Sequence, residues 1–209
     1  MSRPISSLPP LLLAASVLTL GPLGVRARGS AQKSAAKAMA GKTPIATASL
    51  GKDRLELRAS PSGQPRILRI PPAGAPRELH CGALQGAWGL WTTDVNGDGR
   101  TDLVIALWKK ARFDPVLGNR LHVHTLAGDR CVPLWRGTRL AGRFLRARPD
   151  GSRLVVLEEV GGGRRRLARY AWTGFGYAMK EVIWQGSGAP PAALATRHLG
   201  ARGANGDPR

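Results

Sequence analysis

Asp94-Val95-Asn96-Gly97-Asp98-Gly99-Arg100-Thr101-Asp102, followed directly by the apolar strand Leu103-Val104-Ile105-Ala106-Leu107, is the most informative stretch of this 209-residue chain. A turn rich in Asp, Asn and Gly that leads into an apolar run marks the second arm of a hairpin, and Trp88–Thr93 supplies the first arm. Similar short runs recur outward in both directions. Strand candidates lie near Ile45–Leu50, Arg54–Arg58, Arg66–Ile70, Arg120–Thr125, Cys131–Trp135, Arg143–Arg148, Arg153–Glu158, Leu167–Trp172 and Tyr177–Trp184. Between them stand turn signals such as Gly51-Lys52, Pro61-Ser62-Gly63, Gly128-Asp129, Asp150-Gly151 and Gly161-Gly162-Gly163. Many short strands joined by tight turns predict an all-β fold built as an antiparallel meander.

Internal similarity refines that expectation. Asp53–Leu57, Asn119–Val123 and Arg165–Arg169 share one pattern, and the second and third are each preceded by a hairpin, Trp91–Leu107 and Phe144–Glu158. Two units of four strands therefore follow a leading unit of about three. Repeated four-stranded sheets that bury their faces against one another are propeller-like blades. About 2.5–3 units fall short of the usual four to eight, so the expected ring is incomplete or open, or is completed by several chains.

The loop carries the clearest chemistry. Asp94, Asn96 and Asp98 alternate, so three short oxygen-bearing side chains can aim at one point, while Gly97 and Gly99 let the backbone turn tightly. The backbone carbonyl of Arg100 and the carboxylate of Asp102 complete an oxygen-only set, which suits Ca²⁺. A helix-loop-helix calcium hand also begins this way, but it needs a bidentate Glu at the twelfth position, where this chain has Ile105. A hairpin turn that binds nothing is the bland alternative, because Asp, Asn and Gly favour turns for conformational reasons alone.

The arrangement resembles the calcium loop of FG-GAP repeats, the blade repeats of integrin α-chain-type propellers and of related VCBS-type repeats in bacterial secreted proteins. The family pattern D-x-[DN]-x-D-G-x-x-D, followed by a hydrophobic strand, is matched by Asp94, Asn96, Asp98, Asp102 and the Arg100 carbonyl. The resemblance is specific over Trp91–Leu107 and looser over Ile45–Trp184. It implies a calcium-stabilised propeller-type domain that acts in adhesion, protein interaction or attachment to surface glycans. The next unit departs from the pattern: aligning Asp98-Gly99 with Asp150-Gly151 puts Arg146 and Arg148 where Asp94 and Asn96 stand. One calcium site is expected.

The flanks read differently. Arg3, the apolar stretch Leu11–Leu20 and the small residues of Val25-Arg26-Ala27 predict a signal peptide over 1–27, followed by a flexible linker over 28–42. The repeat domain is expected over 43–187, and 188–209 reads as a disordered Gly/Pro-rich tail. Export, to the periplasm or beyond, would place Cys81 and Cys131 where a disulfide forms. It also turns the formal charge of +19 away from nucleic acid, toward proteins, surface glycans, acidic polysaccharide or anionic lipid. Arg supplies 25 of the 32 basic residues, so a GC-rich genome accounts for the excess as readily as a partner does. No apolar run has the length of a membrane-spanning helix.

His122 and His124 alternate on one strand and share a face; a paired metal site and ordinary strand positions are the two readings. The six Trp residues are expected to pack between blades, with a sugar-stacking platform as the alternative. No nucleophile elbow, phosphate-binding glycine loop or zinc-type helix motif occurs, so a non-catalytic role is expected. A cell-surface polysaccharide hydrolase or lyase on the same scaffold is the enzymatic alternative, with catalytic residues drawn from distant strands.

Overall fold

The computed structural model describes residues 43–137 and 140–200. The expected signal peptide, the linker and residues 201–209 of the expected tail lie outside them. The described chain forms three four-stranded antiparallel sheets, each a simple meander in chain order. The first holds β1 (Ala46–Leu50), β2 (Asp53–Ala59), β3 (Pro65–Ile70) and β4 (Arg77–Leu79). The second holds β5 (Ala87–Thr93), β6 (Asp102–Ala111), β7 (Asp114–Ala127) and β8 (Arg130–Arg136). The third holds β9 (Arg143–Asp150), β10 (Arg153–Gly161), β11 (Arg164–Trp172) and β12 (Tyr177–Ser187). Among the described residues no strand pairing joins the first sheet to the third.

Eleven of these strands fall where the sequence places them. The twelfth, β4, corrects the leading unit from about three strands to four. It also corrects the internal alignment: Asp53–Leu57 lies on β2, a second strand, whereas Asn119–Val123 and Arg165–Arg169 lie on β7 and β11, which are third strands. Three residues between prolines and a loop are too few to register as a strand, and losing them shifts the apparent repeat by one position.

The apolar run of β6 explains how the sheets stack. Leu103, Ile105 and Leu107 point toward the first sheet and pack with Leu55, Leu57 and Ile67. Val104 and Ala106 point the other way and pack with Phe144, Leu154 and Val156 of the third. Alternate side chains of a strand go to opposite faces, so a strand buried on both sides must be apolar throughout. The first strands of the three sheets lie in sequence, β1 against β5 and β5 against β9.

The two junctions differ in composition. Between the first and second sheets the contact is aliphatic and is closed by the Cys81–Cys131 disulfide. Backbone bonds from His80 N–H to the Asp129 carbonyl (2.8 Å) and from Cys131 N–H to the His80 carbonyl (3.1 Å) support that closure. A bond spanning 50 residues contributes about 4 kcal/mol by the loop-entropy account. Between the second and third sheets the contact is aromatic. Trp88 is buried beside Trp91 and Phe144, while Trp135 and Trp172 meet Tyr177 edge to face. Asn119 locks this junction, accepting from the Trp88 indole (3.0 Å) and donating to the Phe144 carbonyl (3.0 Å).

The outward faces of the end sheets are finished differently. On the first, the buried Glu56 is held by Arg54 (2.9 Å) and Arg58 (2.5 Å). On the third, helix α1 (Ala192–Leu199) sets Leu194 and Leu199 against Val155, Leu157 and Leu167. This helix corrects the expectation of a disordered tail over its described part. Pro190 and Pro191 precede it and Gly200, at φ 75°, follows it; between them Ala and Leu favour the helix and its apolar residues find a partner on the sheet.

Candidate metal centre

Each sheet has one connection from its first strand to its second, and these three connections are topological equivalents. Two are short turns, Gly51-Lys52 and Gly151-Ser152. In each the glycine sits at positive φ, 58° and 60°, at the first central position, as a type II′ hairpin turn requires. The third, between β5 and β6, is the loop from Asp94 to Thr101. It rises between the other two: the Thr92 hydroxyl donates to the Ser49 carbonyl (2.5 Å) and the Thr93 hydroxyl to the Gly151 carbonyl (2.6 Å).

The loop is ordered from within. Val95, fully buried, plugs into the core between the second and third sheets. Asp94 accepts the N–H groups of Gly97 (2.7 Å), Asp98 (3.2 Å) and Gly99 (2.9 Å). Gly97 and Gly99 lie at φ 76° and 78°, where a side chain would be strained. The Asn96 side chain accepts from Asp98 N–H (3.2 Å) and donates to the Asp98 carboxylate (3.1 Å). Arg100, exposed, gives its N–H to Asp98 at 2.8 Å. That bond, with help from Asn96, holds the Asp98 carboxyl below the usual carboxylate range.

Asp102 differs from the other acids. It is fully buried at the start of β6, and one carboxylate oxygen, Oδ2, accepts the Val95 N–H (3.1 Å). Its other oxygen, Oδ1, is buried with no partner among the described residues. Burial pushes this carboxyl up, an effect partly offset by the Val95 N–H and the Thr125 side chain. The nearby Tyr177 hydroxyl, also buried without a partner, is pushed up by burial and by the charge of Asp102. A buried carboxylate oxygen short of hydrogen-bond partners is one a cation would satisfy. In donor chemistry the residues fit a hard cation, since every group offered is oxygen.

The loop brings Asp94, Asn96 and Asp98 together through its own hydrogen bonds, while Asp102 stands apart beneath Val95. Among the described residues no three acidic, His or Cys side chains stand close enough to hold a metal. Like charges in one short loop turn instead to the backbone amides. Val95, Thr92, Thr93 and Tyr177 were not marked by the sequence pattern; the one available signal was a valine inside an otherwise polar loop.

His122 and His124 do share a face, with ring centres 6.0 Å apart. Burial, together with Arg136 and, for His122, Lys109, pushes both down to about 4. With cations as neighbours, a paired metal site there is disfavoured. In the run Arg164-Arg165-Arg166, Arg166 reaches the buried Glu158 (2.8 Å), which also accepts the Tyr170 hydroxyl (2.8 Å). Among the described residues no helix is long and apolar enough to cross a membrane.

No family model and no curated protein matches the chain. Among solved structures, a Xanthomonas Type IV secretion system related protein is similar over 64% of this chain and 70% of its own, with 16% identity and a TM-score of 0.30. A likeness of that degree supports no conclusion about fold or function.

Proposed function

We propose that this chain is an exported, calcium-binding blade-repeat protein with a non-catalytic role in binding protein or surface glycan. The observation that carries this reading is the contrast among equivalent connections: two are two-residue turns, and the third is an acidic loop above a buried carboxylate oxygen that lacks a partner. In this reading the three sheets are blades of the FG-GAP type, stacked face to face in an incomplete ring. Asp94, Asn96, Asp98, the Arg100 carbonyl and Asp102 hold the ion. When bound, Ca²⁺ supplies positive charge that neutralises the carboxylates and ties the loop to the first residue of β6. The gain is rigidity at one edge of the middle sheet, where the neighbouring turns also meet. The Cys81–Cys131 disulfide supports an oxidising compartment.

Calorimetric titration of Ca²⁺ into the chelator-treated chain, beside thermal melts with and without the ion, tests the reading. A single site with Kd of roughly 10⁻⁴ to 10⁻³ M, the range of extracellular modules, and a melting temperature that rises with calcium are expected. Absence of both heat and shift would reduce Asp94–Asp102 to a turn and overturn the calcium role.

A further inference from the structure

The middle sheet has a second unusual feature on its opposite side. Asp102 shares a face with Val104 and Ala106, toward the third sheet, whereas His122 and His124 pair with Ile105 and Leu103 and share their side, toward the first sheet. There, beside the Cys81–Cys131 disulfide, lies a pocket of about 410 Å³. That is the size of a small-molecule site. Its polar lining consists of Lys109 and Lys110 of β6, Arg112 of the β6–β7 turn, His122 and His124 of β7, and Arg136 of β8. No carboxylate lines it.

What marks the pocket is the gathering of four cations around one cavity with no carboxylate in its lining. Elsewhere Arg54, Arg58, Arg66, Arg69, Arg77, Arg120, Arg143, Arg166 and Arg169 each stand against an Asp or Glu. Among the described residues none of the four pocket cations has such a partner. His124 is 1% exposed, and both of its ring nitrogens lack a partner among the described residues. His122 is 9% exposed. A neutral imidazole keeps one N–H donor, and a buried donor without an acceptor is costly unless something arrives to accept from it. Four cations and two imidazoles lining one cavity disfavour a metal ion and over-neutralise a single carboxylate; a dianion with several acceptor oxygens matches both the charge and the donor count.

We propose that this pocket binds a doubly charged oxyanion group, either free phosphate or sulfate or the phosphate monoester of a small molecule. Lys109, Lys110, Arg112 and Arg136 supply the charge, and His122 and His124 donate from the floor. Phe113, 79% exposed at the rim with the Arg112 guanidinium 5.2 Å above its ring, offers a stacking surface to the organic part of an ester. This inference does not depend on the calcium reading, since it uses none of the loop residues.

The test follows the histidine ring resonances of the full chain by NMR at pH 7, with sulfate, inorganic phosphate or phenyl phosphate replacing chloride at constant ionic strength. His122 and His124 are expected to shift saturably as one site, while His80 and His198 stay still. Lys109→Gln with Arg136→Gln, at half-buried and exposed positions respectively, is expected to weaken that binding at least tenfold with an unchanged melt. Arg164→Gln with Arg165→Gln, outside the pocket, is expected to leave it unaltered. Tighter binding of phenyl phosphate than of inorganic phosphate identifies an ester as the ligand, and equal binding identifies the free ion. Linear, unsaturable shifts, shifts of all four histidines alike, or equal loss in both double variants would overturn the proposal.

Discussion

The β5–β6 loop and the turns at Gly51-Lys52 and Gly151-Ser152 solve the same problem, reversing the chain between the first and second strands of a sheet, with very different means. The two-residue turns need one glycine each and bury nothing. The acidic loop spends eight residues, buries Val95, and leaves Asp102 without a partner on one oxygen. Closure of a hairpin does not require that length. Equivalent positions within one molecule thus separate local turn chemistry from a site.

The largest expected effect lies behind the loop and must be removed before the loop is tested. His122 and His124 are pushed down to about 4 in the folded chain, against about 6.5 when unfolded. Below pH 6.5 the unfolded chain therefore binds more protons, so this contribution to stability is complete above that pH and is lost as pH falls toward 4. For the more deeply buried His124 the loss is on the order of 3 kcal/mol. Urea melts from pH 7.5 to pH 4.5 should show it, and an His124→Gln chain should show a smaller fall. An identical fall in both would show that His124 is not the source of the acid sensitivity. Calcium measurements belong at pH 7.5, where neither histidine titrates.

Next in size is the anchor that only the long loop possesses. Val95→Ala is expected to cost about 2 kcal/mol, from lost apolar burial and the small cavity left between the second and third sheets. Urea denaturation measures it. A cost under about 0.5 kcal/mol, ordinary for surface positions, would mean that the loop rests on the sheet without being held by it.

Much of this comparison was legible in the residues and some was not. Leu103–Leu107 announced a strand, and Gly51-Lys52 and Asp150-Gly151 announced turns, because both signals are local. Strand β4 was hidden because Arg77–Leu79 is too short for any alternation. Helix α1 was hidden because the Gly and Pro around Ala192–Leu199 dominate the composition, while Val155, Leu157 and Leu167, against which Leu194 and Leu199 pack, lie more than twenty positions upstream. The alternation of His122 and His124 was visible, but the cations around them come from positions 109 to 136 and converge only when β6, β7 and β8 pair. In the same way Asp102 could be named as a ligand candidate from spacing, whereas its unpartnered oxygen depends on what the third sheet places above it.

Two aspartates give the most direct contrast, since Asp98 and Asp150 each precede a glycine, the first within the β5–β6 loop and the second at the end of β9, beside the equivalent turn. At ten times its Kd, calcium is expected to stabilise the unaltered chain by about 1.4 kcal/mol, a few degrees in melting temperature. Asp98→Asn should abolish most of that gain, and Asp150→Asn should leave it whole. Equal loss in both would show that the ion acts on overall charge and not at the loop.

The smallest effect tests where the site ends. Thr92 and Thr93 fasten the top of β5 to the Ser49 carbonyl at the end of β1 and to the Gly151 carbonyl of the β9–β10 turn, so the neighbouring strand ends could be part of the acidic loop's support. Both hydroxyls are at the surface, where a hydrogen bond contributes about 0.5 kcal/mol. Thr92→Val and Thr93→Val together should therefore lower the melting temperature by a few degrees and leave calcium affinity unchanged, because neither residue holds Asp94, Asn96 or Asp98. A tenfold loss of calcium affinity in that double variant would join the three connections into one site, with the tight turns setting the strand ends from which the loop is hung.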